Sequence, residues 1–103
     1  MKSPLNLFRR IFIHDEEQIY ACGSVYHGNF RESKKEGFGI LKLSTGDIYE
    51  GDFLKGSRHG TGVMKYFDYS GIECIIYEGD WEKDLRHGYG HFKSSDGNEF
   101  SGQ

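Results

Sequence analysis

One five-residue motif, tyrosine-x-glycine-x-aromatic, returns along the chain and restricts what it can fold into. It reads Tyr26-His27-Gly28-Asn29-Phe30, then Tyr49-Glu50-Gly51-Asp52-Phe53, then Tyr77-Glu78-Gly79-Asp80-Trp81, and reopens as Phe100-Ser101-Gly102, with starts 23, 28 and 23 residues apart. A second block follows each time: Glu36-Gly37-Phe38-Gly39, His59-Gly60-Thr61-Gly62 and His87-Gly88-Tyr89-Gly90. A third, turn-like block is Thr45-Gly46-Asp47, Ser70-Gly71-Ile72 and Asp96-Gly97-Asn98. Of the 15 glycines, all except Gly23 fall in these units. A period this short marks a supersecondary unit that cannot bury its own apolar face and must stack on its neighbours. The five extra residues of the middle unit are assigned to Phe67 to Ile76, at a turn, where an insertion is cheapest.

Composition narrows the class. A chain of 103 residues has the length of one domain and excludes a large multi-domain enzyme. Aromatics at 16 %, charged residues at 28 % and a net charge of −3 argue against the apolar-poor, highly charged signature of disorder. Arg9 and Arg10 interrupt the early apolar stretch from Leu5 to Ile13, so no run reaches the ~20 residues of a membrane helix. Cys22 and Cys74 are too few for a disulfide scaffold and lack metal-ligand spacing, which favours a reducing compartment.

Side chains alternate along a strand, so Tyr49, Gly51 and Phe53 share one face and Glu50 and Asp52 the other. The same alternation groups Gly60, Gly62, Met64 and Tyr66, and in the sister units Gly37, Gly39, Leu41 and Leu43, and Gly88, Gly90 and Phe92. Each ring can then lie over a cross-strand glycine that leaves room for it. Connections of about four to six residues, such as Lys55-Gly56-Ser57-Arg58 and Ser44-Thr45-Gly46-Asp47, suit hairpins and exclude helical crossovers. The expectation is an all-β protein: an elongated single-layer antiparallel meander of tandem β-hairpins, roughly 10 Å per unit. Residues 1–18 form a separate basic and apolar segment ahead of a repeat domain at 19–103, whose units are 26–48, 49–76, 77–99 and the start of a fourth at 100. Ser3 as N-cap, Pro4 at the first helical position and Leu5, Phe8 and Phe12 on one helical face predict a short helix or lid. Asp15 to Gln18 reads as a polar turn, and Ile19 to Val25 as a leading strand or decayed repeat.

No catalytic constellation emerges. His59 and His87 hold equivalent repeat positions, which explains them structurally, and His87 and His91 on one strand stand roughly 13 Å apart, too far to share a metal. The Gly-x-Gly pairs lack the third glycine and the strand-to-helix setting of a nucleotide loop. Glu50, Asp52, Glu78 and Asp80 recur with the unit and show no calcium-loop order, which marks a solvated face. The expectation is therefore no enzyme, no cofactor, no metal and no small-molecule substrate. The first 13 residues carry +3, which leaves −6 for the rest, so nucleic-acid binding is disfavoured. Lys34, Lys35, Lys55, Arg58, Lys83 and Arg86 fall in the turns after the aromatic strands, while Asp47, Asp68, Glu73, Asp96 and Glu99 fall near the opposite turns, giving a basic and an acidic edge.

The ordered blocks resemble the MORN repeat (membrane occupation and recognition nexus), whose unit reads Tyr-x-Gly-x-aromatic, a Gly-containing turn, His-Gly-x-Gly and a closing Asp-Gly turn. The resemblance covers Tyr26 to Gln103 and departs from the pattern at Glu36, where the histidine is expected, and at the insertion. It implies an accessory interaction module. The first expectation is binding of a protein partner, or a second copy, through Tyr26, Phe30, Tyr49, Phe53, Tyr77 and Trp81, because a thin sheet cannot bury this row alone. The alternative is association with acidic membrane lipids through the basic turns and the N-terminal segment. Either suits a cytoplasmic protein, free or held at a membrane or the cytoskeleton. The stop just inside a fourth unit also suggests a piece of a longer polypeptide.

Overall fold

The computed structural model describes residues 16–103, and the helix or lid expected of the N-terminal segment lies outside them apart from its last three residues. Eight strands run β1 (Glu16–Ile19), β2 (Val25–Arg31), β3 (Lys34–Lys42), β4 (Ile48–Leu54), β5 (Ser57–Phe67), β6 (Glu73–Glu82), β7 (Leu85–Ser94) and β8 (Glu99–Gly102). They form one antiparallel sheet in chain order, the meander expected from the short connections. Residues 16–18 are strand where a polar turn was expected. Tyr20 to Ser24, expected within a leading strand or decayed repeat, make a turn, since Tyr20 N–H donates to Ser24 O and Gly23 N–H to Tyr20 O.

That first turn has the same two hydrogen bonds as three later ones, at Leu43 to Asp47, Asp68 to Ile72 and Ser94 to Asn98. In each, a left-handed glycine closes the loop: Gly23, Gly46, Gly71 and Gly97 have φ between 83° and 102°. Strand β1 thus stands where the second strand of a preceding unit would. Its register agrees, because Glu16 faces Gly28 as Gly39 faces Gly51, Gly62 faces Gly79 and Gly90 faces Gly102.

The opposite turns are shorter than the four to six residues expected. Only Glu32-Ser33, Lys55-Gly56 and Lys83-Asp84 separate their strands, and all six residues have φ between 50° and 90°. Positive φ at both central positions is the signature of the type I′ turn, whose twist matches that of the flanking strands. The insertion also sits differently. Leu41 and Leu43 are two residues apart, whereas their counterparts Met64 and Asp68 are four apart, and Ile72 to Tyr77 likewise exceeds Asp47 to Tyr49 by three. The extra residues lengthen both strands of the β5–β6 hairpin and keep the turn. The odd one is absorbed where Tyr66 faces Ile75 and Phe67 faces Glu73, leaving Cys74 bulged; its carbonyl accepts Ser95 N–H at 2.8 Å.

A flat single layer would be roughly 10 Å thick. The principal extents of 39 × 29 × 27 Å show instead a sheet strongly twisted and curved around one face. That face holds Tyr26, Leu41, Tyr49, Phe53, Met64, Tyr77 and Trp81 as the core, with Tyr20, Phe30, Leu43, Tyr66 and Phe92 packed against it.

Candidate functional site: the aromatic row

The sequence alternation places the tyrosines on the curved face, and glycine makes their seats. A Cβ on Gly28 would stand 2.6 Å from Gly39 Cα, and one on Gly39, Gly62 or Gly90 would overlap the ring of Tyr26, Tyr49 or Tyr77. No real Cβ fits there. The glycines face one another across the sheet, Gly28 with Gly39, Gly39 with Gly51, Gly51 with Gly62, Gly62 with Gly79 and Gly79 with Gly90, in a continuous trough. After the glycine of each motif the register slips, at Gly28/Phe30, Gly51/Phe53 and Gly79/Asp80. Such a bulge takes a carbonyl out of the ladder. The tyrosine hydroxyl three residues earlier supplies the missing donor: Tyr26 to Asn29 O at 2.8 Å, Tyr49 to Asp52 O at 2.9 Å and Tyr77 to Asp80 O at 3.0 Å. Burial pushes all three phenols above their ordinary pKa.

The six sequence-predicted rings come together in one row. Tyr26 meets Phe30 and Phe53 edge-on, Tyr49 meets Phe53 and Trp81, and Tyr77 meets Trp81, all with centroids 5.0 to 5.4 Å apart. Each such pair is worth about 0.5–1.5 kcal/mol beyond area burial. Beyond Tyr77 the row continues to Phe92 and, stacked upon it, Phe100. The expectation that the sheet cannot bury these rings is corrected by its curvature. Tyr26, Phe53, Tyr49, Tyr77 and Trp81 are buried, Phe30 is half-buried, and only toward Phe100, at 66 % exposure, does the row open. Trp81 also donates its indole N–H to Gly62 O at 3.3 Å.

The basic edge is two populations. Lys35 lies over Tyr20, Tyr26 and Phe53, Arg58 over Tyr49 and Trp81, and Arg86 over Tyr77 and Phe92, with cation to centroid distances of 4.7 to 5.9 Å. One cation per unit roofs the row. Arg58 is anchored further by Asp84, whose Oδ1 accepts its backbone N–H at 2.8 Å and its Nε–H at 3.1 Å. Lys34, Lys55 and Lys83, at or beside the I′ turns, stay exposed. At the acidic edge, Asp47 Oδ1 accepts Phe67 N–H and Asp68 Oδ1 accepts Ser70 and Ile72 N–H, so these carboxylates close and stack turns. Of the acidic outer-face residues, Asp52 and Asp80 are structural in the same way, accepting Thr61 N–H at 3.3 Å and Tyr89 N–H at 3.1 Å.

Sequence reasoning missed one cluster. Glu99 Oε1 lies 3.2 Å from His91 Nε2, and His91 Nδ1 lies 2.5 Å from Ser101 Oγ. The order acid, imidazole, hydroxyl imitates a hydrolase triad. The three sit on an exposed hairpin, His91 directly opposite Ser101 and Glu99 two pairs away on the same face. It is a cross-strand polar ladder. The Cys22 thiol is held below its ordinary pKa by the Ser24 hydroxyl and is exposed. Among the described residues no group of three or more histidine, cysteine, aspartate or glutamate side chains is placed to hold a metal, and no helix is long and apolar enough to cross a membrane.

A search of curated proteins returned no match for the chain. The family model for the MORN repeat matches three times, at residues 26–48, 49–71 and 77–99, and passes over Ile72 to Ile76 in the lengthened hairpin. With three tandem matches, each holding one tyrosine seated on its glycine trough, the chain belongs to the MORN-repeat family.

Proposed function

We propose that the chain is a non-enzymatic interaction module that captures a protein segment, or a second copy of itself, at the open half of its aromatic row. The observation that carries this reading is the change from closed to open along one continuous surface. Trp81 is 4 % exposed, whereas Phe100, stacked on Phe92 beneath the Arg86 guanidinium, is 66 % exposed, and Leu85, which lines a cleft with Arg86, is 69 % exposed. Apolar rings next to an arginine suit an apolar side chain flanked by a carboxylate. In this reading the six buried or half-buried rings hold the shape and the contact is made by Leu85, Arg86, Phe92 and Phe100. MORN repeats generally mediate protein or membrane interactions, which supports the class of function. The free thiols Cys22 and Cys74 suit the reducing cytoplasm.

Sedimentation of the full chain with Leu85→Ser and Phe100→Ser tests it. Self-association should fall in both variants while their melting curves stay cooperative, and Trp81→Phe should leave it unchanged. Undiminished association in folded Leu85→Ser/Phe100→Ser would overturn the choice of surface.

A second reading, association with acidic phospholipids, is favoured by Lys34, Lys55 and Lys83, which recur once per unit at or beside one set of turns and remain exposed. Each contributes about 1 kcal/mol near an anionic surface. Binding to phosphatidylserine vesicles should then exceed binding to phosphatidylcholine vesicles, weaken with salt and fall on Lys→Glu exchange at the three positions.

A further inference from the structure

We propose that residues 1–15 of this chain dock onto the outer face of the sheet, over Phe38 and Ile40. In a single-layer sheet the face turned away from the core should be solvated. Phe38 breaks that rule. It alternates with Gly37 and Gly39 and so points away from the aromatic row, it is no part of the core cluster, and yet it is only 9 % exposed. Ile40 on the same strand and face is half-buried, as are Val25 and Ile48 nearby. A patch buried at the middle of a face that carries no second layer among the described residues is a docking surface.

Pairing fixes what surrounds it. Phe38 faces Asp52, and Ile40 lies between His27 and Glu50, with Glu17 next along the same line. The patch is thus apolar at the centre, with three carboxylates along the Phe38–Ile40 side and Lys42, between Val25 and Ile48, at the other end. The fifteen residues preceding β1 have the complementary composition: Leu5, Leu7, Phe8, Ile11, Phe12 and Ile13 for the centre, Arg9 and Arg10 for the rim. Distance favours the same occupant. Glu16 pairs with Gly28, which pairs with Gly39, the neighbour of Phe38, so the segment joins the sheet only about two strand spacings, or ~10 Å, from the patch. Five extended residues reach farther than that. A tethered segment is also present at high effective concentration, which an independent partner is not. The proposal is separate from the reading of the aromatic row, since it concerns the opposite face.

Nuclear Overhauser spectra of the full chain, as an equal mixture of isotope-labelled and unlabelled protein, read the contact directly. Cross-peaks from the Phe38 ring to side chains within residues 1–15 of the same molecule are expected, and they should vanish in Phe8→Ser/Phe12→Ser while the Tyr49 and Trp81 ring shifts stay in place. Cross-peaks arising only between molecules would assign the patch to a second copy. That result, or a folded chain with no contact between Phe38 and residues 1–15, would overturn the proposal.

Discussion

Three phenols and the glycines beneath them set how tightly this open sheet curls. Tyr49 lies against Gly62, and Gly62 keeps an ordinary negative φ, so an added methyl there collides with the ring without disturbing backbone preference. Gly62→Ala should therefore act purely by overpacking, at about 1–3 kcal/mol, read as a lower denaturant midpoint at unchanged slope. The relation was visible in the sequence because period-two alternation puts Tyr49 and Gly51 on one face and leaves glycine as the only partner small enough. The bulge was not visible, since Asn29 and Asp52 are poor strand formers that mark no particular irregularity, and the slip shows only in the register lost between Gly28 and Phe30 or Gly51 and Phe53. A pH prediction follows from the same seats. Tyr26, Tyr49 and Tyr77 are raised in the fold by burial, so folding favours their neutral form. Their contribution is whole below the unfolded value of about 10 and is lost as pH climbs above it. Phenolate absorbance at 295 nm should show an alkaline phase that coincides with loss of near-ultraviolet circular dichroism, smaller by one phenol in Tyr49→Phe. A phase that precedes unfolding would contradict the burial account.

At the scale of the hairpin, the two kinds of turn do different work. The glycine-closed turns are legible, because Thr45-Gly46-Asp47 and its sisters carry the residue that left-handed φ demands. The I′ turns are less so. Lys55-Gly56 meets the rule in part, but Glu32-Ser33 and Lys83-Asp84 place non-glycine residues at φ of 50° to 71°. Sequence reading gave those loops extra residues because nothing in Glu-Ser or Lys-Asp announces a two-residue turn. Asp84 has a compensation, its carboxylate holding Arg58 from the previous unit. Ser33 has no hydrogen bond of this kind among the described residues. Ser33→Gly should thus relieve left-handed strain and raise stability by up to about 1 kcal/mol, less the entropy that glycine adds to the unfolded chain. Asp84→Gly removes the Arg58 contacts along with the strain and should gain less or lose outright. Equal gains at both positions, by chemical denaturation, would show that the Asp84 hydrogen bonds contribute nothing. The lengthened β5–β6 hairpin escaped sequence reading for a related reason: added residues that continue an alternating pattern can extend strands as readily as they can swell a loop.

Across the whole molecule, strand pairing runs from each strand to its neighbours in the sequence and the rings reach one strand further, so stability is a chain of local terms with no central hub. Trp81 is where two units are joined: its ring meets Tyr49 of the preceding unit and Tyr77 of its own, its indole N–H reaches Gly62, and Arg58 lies 4.7 Å above it. Phe30 and Phe53 hold the equivalent position in the other units. Trp81→Phe should keep the edge-to-face row and lose the indole hydrogen bond, about 1 kcal/mol. Trp81→Ala removes the joint, about 3–5 kcal/mol, a large share of the 5–15 kcal/mol that holds an ordinary domain. Where that loss appears distinguishes two kinds of molecule. If the sheet is a linear array, amide exchange in Trp81→Ala should quicken first in β5, β6 and β7, while β2 and β3, held by Tyr26, Phe30 and Phe53, keep most of their protection. If the trough of glycines and the ring row couple all units, protection should fall evenly from β2 to β8. We expect the graded pattern, because Phe53 still bridges Tyr26 and Tyr49 when Trp81 is gone, and an even loss would show that the row is a single cooperative element.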